Sequence, residues 1–139
     1  MSVPVLVLLL FAGWTLATLL ATVGVYRWSH ILTGRAALSE FRADEQQGSD
    51  WYRRAMRAHA NCLENLPLYA AIVVAIVASG ARSPTLDTLA VVMLAARVLQ
   101  TLTHVTFPQT DPVVGVRFAF FFTQLVCMAA MGTIVALHA

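Results

Sequence analysis

Four apolar stretches separated by three polar interruptions set the outline of this chain. Val3 to Val25 carries no charged side chain, and it exceeds the about 20 residues a helix needs to cross a hydrocarbon core of about 30 Å. It predicts a transmembrane helix over residues 3–33. This helix continues through Tyr26, Arg27 and Trp28, which suit the headgroup layer, to a stop at Thr33 and Gly34. Ser49 or Asp50 caps a second predicted helix over 50–79, which Ser79 and Gly80 end. Its apolar part, Leu66 to Ala78, is too short to span alone. The polar half from Trp51 to Glu64 must share the crossing, which places Glu64, Asn61 and Arg57 at membrane depth. Pro67 is expected to bend this helix. Ser83 as a cap, Pro84 at the first helical position and Asp87 in the first turn start a third helix over 84–107, and Pro108 stops it. Asp111 and Pro112 repeat the start signal for a fourth helix over 112–137, whose single charge is Arg117. The short connections predict one all-α membrane domain over 1–139, a four-transmembrane-helix up-down bundle.

Composition agrees with lipid as the main solvent. The chain is 59% hydrophobic and 12% charged, against about 25% charged for soluble domains. A formal charge of +2, with Arg residues scattered through apolar helices, gives no basic patch for nucleic acid. Cys62 and Cys127 fall in apolar helical sequence and read as small core residues rather than a disulfide. The first apolar stretch lacks a basic leader, so it is expected to be a retained helix rather than a signal peptide. Arg27, Arg35, Arg42, Arg53 and Arg54 flank or occupy the first connection, whereas the second holds only Arg82. The positive-inside rule then predicts a cytoplasmic 27–53 loop with both termini on the opposite, periplasmic side. The same basic cluster also suits anionic lipid headgroups. An Ala-rich chain whose cations are all Arg points to a bacterial inner membrane.

The candidate chemistry lies in the charged residues of the apolar helices. Arg54, Arg57, Asn61 and Glu64 follow spacings of three, four and three and so form one helical stripe. Arg97, Gln100 and His104 form another, and Arg117, Phe121, Gln124 and Met128 a third. Depth along each helix brings the three stripes to one level. Three Arg and one Glu at that depth would cost roughly 10 kcal/mol if unpaired, so partners are required. One reading is that Glu64 neutralises Arg97 or Arg57 and fixes the bundle register. The other is that surplus Arg side chains bind an anionic ligand, with a carboxylate held by the planar guanidinium fork and Asn61, Gln100 and Gln124 orienting it. His30 and His59 read as interface residues and no metal site is expected. Phe118, Phe120, Phe121 and Phe122 read as lipid and helix contacts.

The run from Arg54 through Arg57, Asn61 and Glu64 to Pro67 resembles the second-helix signature of the MAPEG family, the membrane-associated proteins of eicosanoid and glutathione metabolism. Length, four-helix layout and orientation agree with it from end to end. The resemblance implies a homotrimer with glutathione as cosubstrate between subunits. Arg57, Asn61 and Glu64, with Arg54 beside them, would bind it. Arg97 resembles the family's interior Arg, and Gln100, His104 and Gln124 would complete the cofactor site. Arg117 resembles the Arg that lies beside the glutathione thiol and favours its thiolate, the catalytic role. A nearby cation lowers a thiol pKa from about 8.5, and a lipophilic electrophile could then reach the sulfur from the bilayer. The chain departs from well-studied members in offering Gln100 and His104 where those carry Tyr, and Phe118 where some carry Ser.

The expected function is thus a glutathione S-transferase or peroxidase acting on lipophilic electrophiles, with membrane lipid and a second copy of the chain as partners. A catalytically silent scaffold with the same fold is the alternative. A small multidrug-type transporter is disfavoured, because the first helix lacks the carboxylate that proton exchange requires and an Arg-rich interior repels cations.

Overall fold

The computed structural model describes residues 1–41 and 48–138, and among them there are helices and no strands. Arg42, part of the predicted basic cluster, lies outside the described residues. Four helices are long and apolar enough to cross a membrane: α1 Val3–Leu32, α2 Asp50–Ser79, α3 Pro84–Thr106 and α4 Asp111–His138. At 1.5 Å per residue, the 30 residues of α2 extend about 45 Å, beyond the apolar thickness. Its polar first half is therefore continuous with the spanning segment. The helix runs through Pro67 without interruption.

Local chemistry explains each boundary. The Ser49 hydroxyl accepts the Tyr52 N–H at 3.2 Å and the Ser83 hydroxyl accepts the Leu86 N–H at 3.1 Å, so both N-termini are capped by side chains. Gly80 ends α2 at φ 67° and Gly34 follows α1 at φ 70°, left-handed conformations that a Cβ would disfavour. A π-type turn over Leu19–Gly24 interrupts the regular winding of α1, a feature without a signal in the apolar pattern. Along this helix Thr15, Thr18 and Thr22 donate to the carbonyls of Phe11, Trp14 and Thr18 at 2.9, 2.8 and 2.5 Å. Hydroxyls facing the bundle are thereby satisfied within their own helix.

Packing is up-down-up-down. The helices α3 and α4 form the most extensive contact, and α1 packs on α2 and α3. The main core joins Val7 and Phe11 of α1, Cys62, Tyr69, Val73 and Ile76 of α2, Met93 of α3 and Met128 and Met131 of α4. Both cysteines are buried and free. The Tyr69 hydroxyl donates to the Pro4 carbonyl at 3.1 Å, joining α2 to the start of α1. A smaller cluster of Val23, Tyr52 and Ala55 sits where α1 meets the start of α2. There Tyr26 stacks on Tyr52 with ring centroids 4.1 Å apart, and Arg27 Nε donates to the Tyr52 hydroxyl at 2.7 Å. Leu9, Leu20, Leu63, Val74, Val91, Phe118 and Phe122 are exposed around the bundle, which gives the exterior that lipid requires. The protein is an integral, multi-pass membrane protein.

Candidate functional site

A crevice of about 300 Å³ opens between α2, α3 and α4 toward the end of the bundle where α3 passes into α4. Asn61 and Glu64 line it from α2, Gln100 and His104 from α3, and Arg117, Phe118 and Phe121 from α4. The helical spacing that put Asn61 and Glu64 on one stripe, and Gln100 and His104 on another, thus aims both pairs at the same space.

Hydrogen bonds fix the back of the crevice. Gln124 is fully buried, and its Nε2 donates to Gln100 Oε1 and to the Phe120 carbonyl, both at 2.9 Å. Arg117 and His104 are each 8% exposed, and an Arg117 guanidinium nitrogen lies 3.0 Å from His104 Nδ1. A guanidinium only donates, so His104 Nδ1 accepts. Asn65 Nδ2 donates to Asn61 Oδ1 at 3.2 Å and to the Asn61 carbonyl at 3.0 Å, which leaves the Asn61 amide N–H groups for the crevice.

Three other predicted site residues lie outside the lining. Arg54 pairs with Asp50 at 3.0 Å and donates to the carbonyls of Val105 and Phe107. It thereby satisfies carbonyls left open at the end of α3. Arg57 donates to Gln109 Oε1 at 3.0 Å in the segment between α3 and α4, at the rim. Arg97 is 1% exposed, with its guanidinium carbon 5.6 Å from the centre of the Phe11 ring. Two of its nitrogens have no hydrogen-bond partner among the described residues.

The expectation that Glu64 neutralises an interior Arg takes a different form here. Glu64 is exposed on the bundle, and among the described residues the ion pair within 4 Å is Arg54 with Asp50. Arg97 is instead met by an aromatic face, a contact that cation–π attraction favours. Arg117 lines the crevice and Arg57 stands at its rim. The crevice therefore combines a positive field from several guanidinium groups with a single carboxylate at its edge, a setting suited to an anion that also carries one cationic group.

Phe118, read from the sequence as a lipid or helix contact, and Phe121, which shares the stripe of Arg117, form the apolar wall beside Arg117. Phe118 is 64% exposed, so this wall also faces the lipid side. A Phe beside a basic residue on a helix reads the same whether it faces acyl chains or a crevice, so the sequence carried no signal for the distinction. Gln109, Phe11 and Asn65 were likewise missed, since each acts through a neighbour distant in sequence or through a second amide.

Compared with known families, residues 4–137 match the profile of the MAPEG family. No curated protein and no solved structure matches the chain.

Proposed function

The chain belongs to the MAPEG family, and from that membership together with the crevice we propose that it binds glutathione and conjugates it through its sulfur to lipophilic electrophiles. The observation that carries this reading is the placement of Arg117. It is buried, held by His104 and set between the polar wall of Asn61 and Glu64 and the apolar wall of Phe118 and Phe121. Donors on Asn61, Gln100 and Arg117 suit carboxylate and thiolate groups, and Glu64 suits an ammonium group. Glutathione presents all three.

In this reading the Arg117 cation stabilises the thiolate, which is the reactive form of the sulfur. The sulfur lone pair forms the new S–C bond, and the leaving group departs with the electron pair of the bond that breaks. With a hydroperoxide as acceptor, the same thiolate attacks the terminal oxygen, the other oxygen leaves as the alcohol, and a second glutathione converts the resulting sulfenic acid to the disulfide and water. The open wall at Phe118 admits an acceptor dissolved in lipid.

Glu64 also bears on assembly. A carboxylate facing hydrocarbon at this depth costs about 2.5 to 3.5 kcal/mol on insertion scales. Its exposure on the isolated bundle favours cover by neighbouring copies, in the homotrimer that the family implies. The bacterial inner membrane, with the first connection cytoplasmic, remains the expected setting, and glutathione would enter from that side.

Calorimetry on detergent-purified protein tests the reading. Glutathione should bind, and Arg117→Ala should weaken binding about 10- to 100-fold, the range for one charge-assisted contact. Absence of binding by the unaltered protein would remove glutathione as the cofactor. Binding with no thiolate absorbance and no turnover would favour the silent scaffold.

A further inference from the structure

We infer that His104 is the positioning residue for Arg117, and that its neutral ring turns an N–H toward the thiol sulfur. This inference rests on the glutathione reading and deepens it. A guanidinium has five N–H donors and no acceptor. The 3.0 Å contact with His104 Nδ1 therefore requires an unprotonated Nδ1, with the ring proton on Nε2.

His104 lines the crevice, and Nε2 is not among its buried unpartnered atoms. Nε2 is thus the ring atom left to face a ligand. Both side chains are nearly enclosed, so the pair is held by packing from α3 and α4 rather than by chance contact at a surface. A second proton on the ring would remove the acceptor and place two cations 3.0 Å apart. The charged groups around the ring are Arg117 of α4, 3.0 Å from Nδ1, Arg57 of α2 at the rim and Glu64 of α2 across the crevice. An acceptor for Arg117 demands a neutral imidazole.

A neutral His in this role does two things. It fixes the direction of the Arg117 fork by accepting one N–H, which leaves the other donors aimed into the crevice. It also adds a second donor to the sulfur without adding charge. A thiolate that accepts two N–H groups is stabilised more than one that accepts a single group. Carboxylate binding, which Asn61 and Gln100 serve, does not depend on it.

Two measurements test this. Nitrogen-15 NMR of His-labelled protein in micelles, without glutathione, should show His104 with unprotonated Nδ1 and protonated Nε2, the signal being assigned by its loss in His104→Asn. Arg117→Ala should release that preference into tautomer exchange. A protonated Nδ1 in the unaltered protein would overturn the inference whatever the cofactor.

The thiolate absorbance of bound glutathione should titrate about 1 to 2 pH units higher in His104→Phe, a 10- to 100-fold loss of thiolate at fixed pH. His104→Asn retains an acceptor at the position of Nδ1 and should shift less. Glutathione affinity, measured below the thiol pKa, should fall by less than the shift in midpoint implies in both variants, since the thiol form gains little from the second donor. If His104→Phe does not fold, the Asn variant and the NMR signature still decide. An unchanged midpoint in both variants overturns the inference and leaves glutathione binding standing. Loss of affinity in step with the shift in midpoint also overturns it, because that is what general disruption of the crevice would produce. No binding by the unaltered protein removes the cofactor reading itself, while the tautomer result stays interpretable.

Discussion

The hydrogen bond between Gln100 and Gln124 gives a quantitative test of the polar interior. In Gln100→Leu, Gln124 Nε2 keeps only the Phe120 carbonyl, which already serves the backbone of α4, and Gln124 Oε1 remains buried without a donor. The expected cost is about 1 kcal/mol, near the middle of the range measured for hydrogen bonds between membrane helices. Gln124→Leu leaves Gln100 Oε1 unpaired at the wall of the crevice, with Gln100 itself 2% exposed. The same change removes the buried orphan oxygen of Gln124. Its cost should be smaller, about 0.5 kcal/mol or less. The double variant replaces both partners by apolar groups of similar size and should be nearly neutral, which implies a coupling of about 1 to 1.5 kcal/mol. Equilibrium unfolding in mixed detergent micelles, run as a double-mutant cycle, measures it. Additive effects, or a larger cost for Gln124→Leu than for Gln100→Leu, would refute the reasoning.

Other consequences follow from single contacts. Arg54→Ala should cost about 1 to 2 kcal/mol, because the carbonyls at the end of α3 lose a charged donor. Asp50→Asn should cost at most a few tenths, because the Asp50 side chain is 65% exposed and exposed ion pairs contribute little; thermal unfolding of the two variants should separate them. Gly48 sits at φ 118°, and an added Cβ would lie 2.8 Å from the Tyr52 ring and 3.1 Å from the Tyr26 hydroxyl. Gly48→Ala should therefore destabilise by about 1 to 3 kcal/mol and disturb the stacking of Tyr26 on Tyr52, visible in near-ultraviolet circular dichroism. Ser83→Ala removes the cap of α3 and should cost about 1 kcal/mol, measured by the same unfolding assay.

The four-helix bundle was legible because its determinants are local. Ser49 and Ser83 cap where their positions before a helical run suggest, Gly34 and Gly80 follow helix ends in left-handed conformations, and apolar length alone separates four spans. The common facing of Asn61 and Glu64 was also legible, since helical spacing sets them on one side of α2 and both line the crevice. Helical spacing says which side chains share a face and nothing about what stands opposite. For that reason Arg54 was grouped with Arg57 although the end of α3 claims it. Pairing of Glu64 with Arg97 or Arg57 was one of two readings of the stripes, whereas the ring of Phe11, far away in sequence, faces Arg97. The π-type turn in α1 likewise leaves no trace in an apolar pattern; it lies where Leu19 and Val23 pack against Tyr52 and Ala55.

The central claim is that this crevice holds an anionic thiol, and a structure of the protein with glutathione in lipid nanodiscs tests it most directly. The account predicts ligand density between Asn61, Glu64, Gln100 and Arg117, with the sulfur within hydrogen-bonding distance of the Arg117 guanidinium and of His104 Nε2. Glutathione bound elsewhere, or a crevice filled by an acyl chain while glutathione is saturating, would contradict it.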